Sequence, residues 1–373
     1  MLIGLCGGIC AGKSSIASYL IEQHQFCRIH LARTSPTPSV EKSASNGHVP
    51  STELASTSAA LTFPNVTTLL DYVTRNWRER WVTTDIWDES VVDALFGRPF
   101  FLLISVDAPV STRWERFRAR CEADQQPPPA LEDFVRRNDA HLYAPETGLG
   151  TLSDRAQLKL LNSTPTKTAL YRSLRCLNLT NEARLRPSWD QYFMQLADLA
   201  AHRSNCMKRR VGCVIVREKR VISTGYNGTP RGMTNCNEGG CPRCNSAAKG
   251  GVDLSTCLCL HAEENALLEA GRDRIGGGAT LYCNTCPCLT CSVKIAQVGI
   301  SEVVYNQGYL VDTKTAEILA ESGVGLRQFT PPRGGLVDLS LISETLDPAV
   351  GAGTDAIDVR EILDDSNFVR PLA

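Results

Sequence analysis

His261-Ala262-Glu263, followed further on by Pro287-Cys288-Leu289-Thr290-Cys291, is the stretch on which the fold of this chain turns. One imidazole and two thiolates make three ligands, which leave a tetrahedral Zn²⁺ one open position, as in catalytic rather than structural sites. Water in such a position is acidified toward a pKa of about 7. Cys288 follows a proline and opens a helix, where free N–H groups and the helix dipole favour a thiolate. Glu263, two residues past the ligand, can reach that water without being a ligand itself. The expected ligands are therefore His261, Cys288 and Cys291, and the expected proton carrier is Glu263.

Working outward, the surrounding sequence alternates strands and helices. Trp189 to Ser204 has helical spacing, and Val211–Val216 with Val221–Thr224 reads as a hairpin. A helix runs from His261 to about Gly271, Thr280–Cys283 is a strand, and Cys288–Val298 is a helix. Glu302–Tyr305, Thr313–Glu321 and Leu326–Phe329 give a strand, a helix and a last strand. A lone C-x-x-C is often a structural zinc knuckle or a redox pair, and Cys283-x-x-Cys286-Pro-Cys288-x-x-Cys291 could hold an iron–sulfur cluster. Both alternatives leave His261 and Glu263 unexplained.

The ordered pattern H-x-E…P-C-x-x-C resembles the signature of zinc nucleobase deaminases. Four segments carry a closer resemblance: Arg203-Ser-Asn-Cys206-Met-Lys-Arg-Arg-Val-Gly, Thr224-Gly-Tyr-Asn227-Gly-Thr-Pro-Arg231, Cys257-Leu-Cys-Leu-His261-Ala-Glu-Glu-Asn-Ala, and the Pro-Cys-x-x-Cys helix. From Trp189 to Phe329 the chain is similar to the deoxycytidylate (dCMP) deaminase family, most nearly its fungal branch. The resemblance implies a three-layer α/β/α cytidine deaminase-like fold and hydrolysis of dCMP to dUMP and ammonia, which supplies thymidylate synthesis. It also implies a homohexamer, with dCTP as activator and dTTP as inhibitor. Asn227 matches the family position that meets a sugar hydroxyl or effector nucleotide, although an Asn-Gly pair is also a plain turn. Tyr309 is a candidate to stack on the base. Lys208, Arg209, Arg210 and Arg231 are candidate phosphate contacts, because guanidinium forks match phosphate oxygens. Some family members carry a second, structural zinc. Here the expected set is Cys206, Cys236, Cys241 and Cys257, with Cys244 as substitute, and buried free thiols are the plain alternative.

The front half has its own motif. Gly7-Gly-Ile-Cys-Ala-Gly12-Lys13-Ser14 fits G-x-x-x-x-G-K-[ST] between a strand (Leu2–Leu5) and a helix (Ser15–Glu22), the context of a phosphate-cradling loop. Gly7, Gly12, Lys13 and Ser14 are thus candidate nucleotide contacts, and Thr84-Asp85 is a candidate Mg²⁺ ligand. The first twenty or so residues resemble dephospho-CoA kinase and related kinases, as do the Phe100–Val106 strand and the helix bearing Arg116 and Arg120. The acid that such kinases place after their first helix is not recognisable in Cys27–Arg33. The expectation is a P-loop NTPase-like parallel α/β domain over 1–180 that binds nucleotide without being an active kinase. Residues 34–62, rich in Ser, Thr, Pro and Ala, read as a disordered insertion. The deaminase domain is expected over 187–332 and a flexible acidic tail over 333–373.

Bulk properties agree with this layout. At 373 residues two domains are the natural expectation, and 43% hydrophobic with 21% charged residues is ordinary for a globular chain. The net charge of −1 provides no field for a nucleic-acid backbone, so no nucleic-acid or membrane partner is expected. Sixteen cysteines without a targeting segment point to a reducing, cytosolic or nuclear location, where clustered cysteines bind metal more often than they pair. A P-loop phosphotransferase with a regulatory zinc module is the alternative from another class, and a non-enzymatic zinc scaffold is a third.

Overall fold

The structure is a computed structural model, which describes residues 1–32, 61–145, 148–246, 252–308, 313–331 and 335–342. The strands are β1 (Leu2–Gly7), β2 (Cys27–Leu31), β3 (Leu61–Phe63), β4 (Trp81–Thr83), β5 (Phe101–Asp107) and β6 (Leu158–Leu161), then β7 (Gly212–Arg217), β8 (Arg220–Tyr226), β9 (Thr280–Thr285), β10 (Glu302–Gln307), β11 (Gly325–Gln328) and β12 (Leu336–Asp338). They form two sheets in two compact units, Met1–Arg186 with residues 335–342, and Pro187–Pro332.

The first sheet runs β12-β6-β5-β1-β4-β2-β3, and every neighbouring pair is parallel. A parallel sheet is covered on both faces, so its central strands read as unbroken apolar runs. Leu2-Ile-Gly-Leu5 and Phe101-Leu-Leu-Ile104 are such runs and are buried throughout. Ile3, Leu5, Leu102 and Ile104 pack against Ile16, Leu20, Leu170 and Leu174 of the Lys13–His24 and Lys167–Leu177 helices. Leu2, Phe101 and Leu103 face Leu69, Val73, Val92 and Leu95 of the Val66–Arg75 and Glu89–Phe96 helices.

Two expectations need correction at the edges of this sheet. Leu61 and Thr62 belong to strand β3 and not to an unstructured insertion, because residues 61–63 pair in register with Ile29–Leu31. Residues 33–60, the bulk of the expected insertion, lie outside the described residues. The tail likewise contributes structure: Leu336–Asp338 pairs with Lys159–Leu161, and Val337 and Leu339 enter the core. The Ser173 hydroxyl donates to the Leu339 carbonyl at 2.6 Å. Apolar burial and ladder bonds thus hold this piece, and residues 343–373 lie outside the described residues.

The second sheet runs β11-β10-β9-β7-β8, antiparallel around β7 and parallel from β9 to β11. Side-chain alternation along β7 builds the layers on its two faces. Cys213 and Ile215 meet Ala262, Ala266 and Ile295 on one face, whereas Val214 and Val216 meet Phe193, Met194 and Ala197 on the other. Helices therefore cover both faces of the sheet. The Ala262–Ala270 helix lies hard against β8, since a Cβ on Gly225 would sit 2.2 Å from the Ala262 carbonyl oxygen and 2.5 Å from the Ala266 nitrogen. Only glycine admits that approach, and it fixes where the helix begins.

Candidate metal and catalytic site

Two helix starts converge on one point. His261 is the residue that caps the Ala262–Ala270 helix, and Cys288 caps the Leu289–Val298 helix. The Glu264 carboxylate accepts from the His261 backbone N–H at 3.0 Å and pairs with Lys294, which ties the two helix starts together. His261 Nδ1 lies 3.4 Å from both Cys288 Sγ and Cys291 Sγ, and the three donor atoms all lie within 4.8 Å of one another. Around Zn²⁺, ligand distances of 2.0–2.3 Å and tetrahedral angles put nitrogen and sulfur about 3.5 Å apart, so this donor set fits that ion. A hydrogen bond from Cys291 and the His261 ring beside it hold Cys288 down to about 4, against the cost of burial, so this thiol ionises readily.

Glu263 follows on the same helix, 4% exposed. Burial pushes its carboxyl up to about 7, although its backbone hydrogen bond, the His261 charge and a hydrogen bond from Cys291 pull it the other way. A carboxyl poised near neutrality inside an apolar wall can both take and give a proton. Cys283, by contrast, faces the core beside Cys213, and neither it nor Cys286 joins a donor cluster among the described residues. The iron–sulfur alternative has no geometry there.

A cleft of about 280 Å³ adjoins the start of the Glu263 helix, lined by Asn205, Tyr226, Arg231, Asn235 and Asn265 among others. Arg231 is exposed and lines this cleft; Arg209 and Arg210 are exposed but outside its lining. Asn227 is engaged by the backbone. It is 7% exposed, and its side chain accepts from the Val211 N–H at 2.8 Å and donates to the Arg209 carbonyl at 2.8 Å. Its amide thus braces the backbone ahead of β7. Tyr309 lies outside the described residues. Asn205 went unnoticed in the sequence: its side chain donates to Asn235 Oδ1 at 2.8 Å and accepts from the Thr229 N–H at 3.3 Å. Its place beside Cys206 in the Arg203-Ser-Asn-Cys segment was the available signal.

The remaining cysteines do not gather as the spacing suggested. Cys206, Cys236, Cys241 and Cys257 are divided between two overlapping quartets, Cys206-Cys236-Cys244-Cys259 and Cys241-Cys244-Cys257-Cys259. Cys244 and Cys259 belong to both. The C-x-C spacing of Cys257 and Cys259 hinted at the latter, but linear spacing does not reveal which sulfurs meet after the chain turns.

In the first unit, the loop from Gly7 to Gly12 joins β1 to the Lys13–His24 helix. Gly7 has φ 124°, and a Cβ there would sit 2.0 Å from the Val106 carbonyl oxygen. Lys13 Nζ donates to the Gly7 and Gly8 carbonyls at 2.9 and 2.7 Å, whereas Ser14 is exposed. Arg116 caps the other side of the loop through the Ala11, Asn162 and Thr164 carbonyls. Asp85 accepts from the Leu31 N–H at 3.2 Å and pairs with His30 Nδ1 at 2.8 Å, so its carboxylate already has partners on β2. A cavity of about 820 Å³ opens at Gly7 and Gly8 and extends past Asp88, Asp107 and Tyr143.

Comparison with known proteins places these features. Residues 187–307 match the family described as "Cytidine and deoxycytidylate deaminase zinc-binding region". The chain is 47% identical over 334 residues, 90% of its length and 99% of the relative's, to a protein of Schizosaccharomyces pombe named deoxycytidylate deaminase. It is 50% identical over 274 residues, 70% of its length and 85% of the relative's, to the Saccharomyces cerevisiae protein of the same name. A crystal structure of dCMP deaminase from the cyanophage S-TIM5 in complex with dCMP and dUMP matches 39% of this chain and 98% of that one, at 30% identity and a TM-score of 0.32.

Proposed function

This chain belongs to the deoxycytidylate deaminase family, and we infer that the buried carboxylate beside one histidine and two cysteines carries out the hydrolysis of dCMP to dUMP and ammonia. The single observation that carries the inference is Glu263, almost wholly buried and two residues past His261 of the three-donor cluster. Zn²⁺ bound by His261, Cys288 and Cys291 supplies the Lewis acidity that activates water. The chain's own contribution is proton transfer. A Glu263 carboxylate oxygen takes a proton from the attacking water and delivers it to N3 of the cytosine ring as C4 is attacked. The same carboxylate then carries a second proton to the exocyclic nitrogen, which leaves as ammonia. A pKa near 7 suits both halves of this cycle.

The cleft bearing Arg231 supports a phosphate contact there, since a guanidinium matches phosphate oxygens. Asn227, with its amide bonded internally, acts as a positioning residue for the backbone around the cleft. The family resemblance supports dCTP and dTTP as effectors, a homohexameric assembly and a cytosolic or nuclear location. A second, structural zinc is proposed in the cysteine nest. In the first unit, the strand–glycine loop–helix arrangement supports nucleotide binding at Gly7, Gly12, Lys13 and Ser14, with Mg²⁺ accompanying the nucleotide. Asp85, engaged with His30, does not favour an active kinase there.

The test is ammonia release from dCMP, CMP, deoxycytidine and cytidine, each with and without ATP. Release from dCMP far above the other three, independent of ATP, is the expected result. Equal release from deoxycytidine would remove the phosphate requirement and with it the assigned substrate. A strict need for ATP would favour the phosphotransferase alternative.

A further inference from the structure

The segment between the Gly232 turn and His261 is short of the usual means of holding a shape. Among its described residues, regular helical structure is limited to single turns at Cys236–Glu238, Pro242–Asn245 and Leu254–Thr256. Its large apolar residues face outward: Met233, Val252, Leu254 and Leu258 are all 40% exposed or more. What it buries is sulfur. The cluster at its centre consists of Cys236, Cys241, Cys244 and Cys259 with Cys206 and Cys257 at the margin, and no aliphatic side chain among the described residues takes part.

All six cysteines are free of disulfides. The sulfur–sulfur separations are 3.8 Å for Cys206–Cys244, 4.0 Å for Cys241–Cys257, 3.7 Å for Cys244–Cys257 and 3.9 Å for Cys244–Cys259. A disulfide would need about 2.05 Å. Four thiolates around one Zn²⁺ at about 2.3 Å form a tetrahedron whose edges are about 3.8 Å. These four separations match edges of a zinc–thiolate tetrahedron, and all the sulfurs of each quartet lie within 4.8 Å of one another.

One ion does not account for six sulfurs. The two quartets have Cys244 and Cys259 in common, and the 3.9 Å between those two sulfurs is one tetrahedral edge. Two tetrahedra that share an edge need six corners, which is the number of cysteines present. We propose that this segment binds two zinc ions in a single thiolate cluster, with Cys206 and Cys236 ending one side, Cys241 and Cys257 ending the other, and Cys244 and Cys259 bridging the pair. The proposal extends the reading of a single structural zinc in this nest and is separable from it by metal count.

The surroundings suit an anionic cluster, because six thiolates carry more negative charge than two divalent cations neutralise. Backbone N–H groups of Met207, Lys208 and Leu258 donate to Cys236, Cys206 and Cys241 sulfurs at 3.4, 3.5 and 3.4 Å. Arg243, on the Pro242–Asn245 turn next to Cys244, donates to the Val252 carbonyl at 2.9 Å and adds a positive charge beside the cluster. The cluster also has a task in the fold. Cys206 follows Asn205, which lines the cleft, and Cys259 precedes Leu260, which pairs with Gly228 through backbone bonds of 2.8 and 3.2 Å. The two ions would thereby pin both approaches to His261.

Elemental analysis of the full chain, purified without chelator, is the first measurement. Three zinc ions per chain are expected, falling to two in the Cys288→Ala/Cys291→Ala double variant. Two ions per chain, falling to one in that variant, would leave a single structural zinc and overturn the paired cluster. One ion per chain would overturn both. Exchange of the metals for ¹¹³Cd then tests the bridges without altering any cysteine. Two all-sulfur cadmium resonances, each split by the other, are expected, since that coupling passes only through a shared sulfur. Two such resonances without mutual splitting would overturn the bridging assignment.

Discussion

At the scale of single residues, the site separates holding a metal from moving a proton. Glu263 stands two residues past His261 but is not a member of the donor set, so its charge can be removed without removing a ligand. Glu263→Gln should therefore keep its full zinc content, by elemental analysis, while ammonia release from dCMP falls by about 10²–10⁴-fold, the usual worth of a general acid–base group. Normal turnover in this variant would end the assigned role. Gly225 is a second residue with a specific duty, because the helix that begins at His261 rests on its bare Cα. Gly225→Ala drives a methyl into the Ala262 carbonyl, and overpacking of this kind costs about 1–3 kcal/mol. A lowered urea midpoint together with a reduced kcat is the expected pair of effects. An unchanged midpoint would mean that the helix can retreat freely.

At the scale of elements, the Trp189–Ala201 helix is fastened to the second sheet by charge as well as by apolar contact. Asp190, in its first turn, accepts from Tyr282 Oη at 2.8 Å and pairs with Arg327 at 2.8 Å, while Arg327 also reaches Glu302 at 3.0 Å. Burial raises the Asp190 carboxyl, but the hydrogen bonds from Arg327 and Tyr282 outweigh it and leave the pKa below its ordinary value. A carboxyl depressed in the native state stabilises the fold above its unfolded pKa, and that contribution disappears as pH falls through the native one. The urea midpoint of the wild type should accordingly exceed that of Asp190→Asn at pH 6, and the gap should close below about pH 4. A gap independent of pH would remove the ionic part of this fastening. Elements of this kind were legible where pattern and burial coincide. The apolar runs of Cys213–Val216 and Phe101–Ile104 identify β7 and β5 because both faces of each strand are covered. β2 escaped notice because Cys27-Arg-Ile-His-Leu31 buries only Ile29 and Leu31, with the polar Arg28 and His30 alternating with them. β12 escaped because three residues within an acidic tail carry no period, and its place comes from pairing with a strand far away in the chain. The metal site was legible down to the residue because its ligands lie close in sequence at fixed spacings. The cysteine nest was not, since which sulfurs meet depends on turns that spacing does not encode.

At the scale of the whole chain, two units with cores built from separate sets of residues carry two different motifs, and the chemistry assigned above uses only one of them. The glycine-rich loop of the first unit binds its own lysine: Lys13 is held by the Gly7 and Gly8 carbonyls, and burial lowers its pKa. A phosphate entering the loop would face that ammonium and the backbone N–H groups of a helix start, an arrangement that favours anions. The full chain should therefore bind Mg²⁺·ATP in a calorimetric titration, and Lys13→Ala should weaken that binding at least about tenfold, the equivalent of about 1.4 kcal/mol. Because Lys13 bonds to the Gly7 and Gly8 carbonyls of the first unit, kcat and KM for dCMP in the absence of ATP should be unchanged in the variant. No measurable heat with wild type would dismiss the nucleotide cradle and leave the loop as a glycine-tight turn. Equal binding by wild type and variant would move the nucleotide away from Lys13, and the cavity beside Gly7 and Gly8 would then be the place to look. A loss of deaminase activity in Lys13→Ala without ATP would instead reveal that the two units are energetically coupled even when the loop has no ligand.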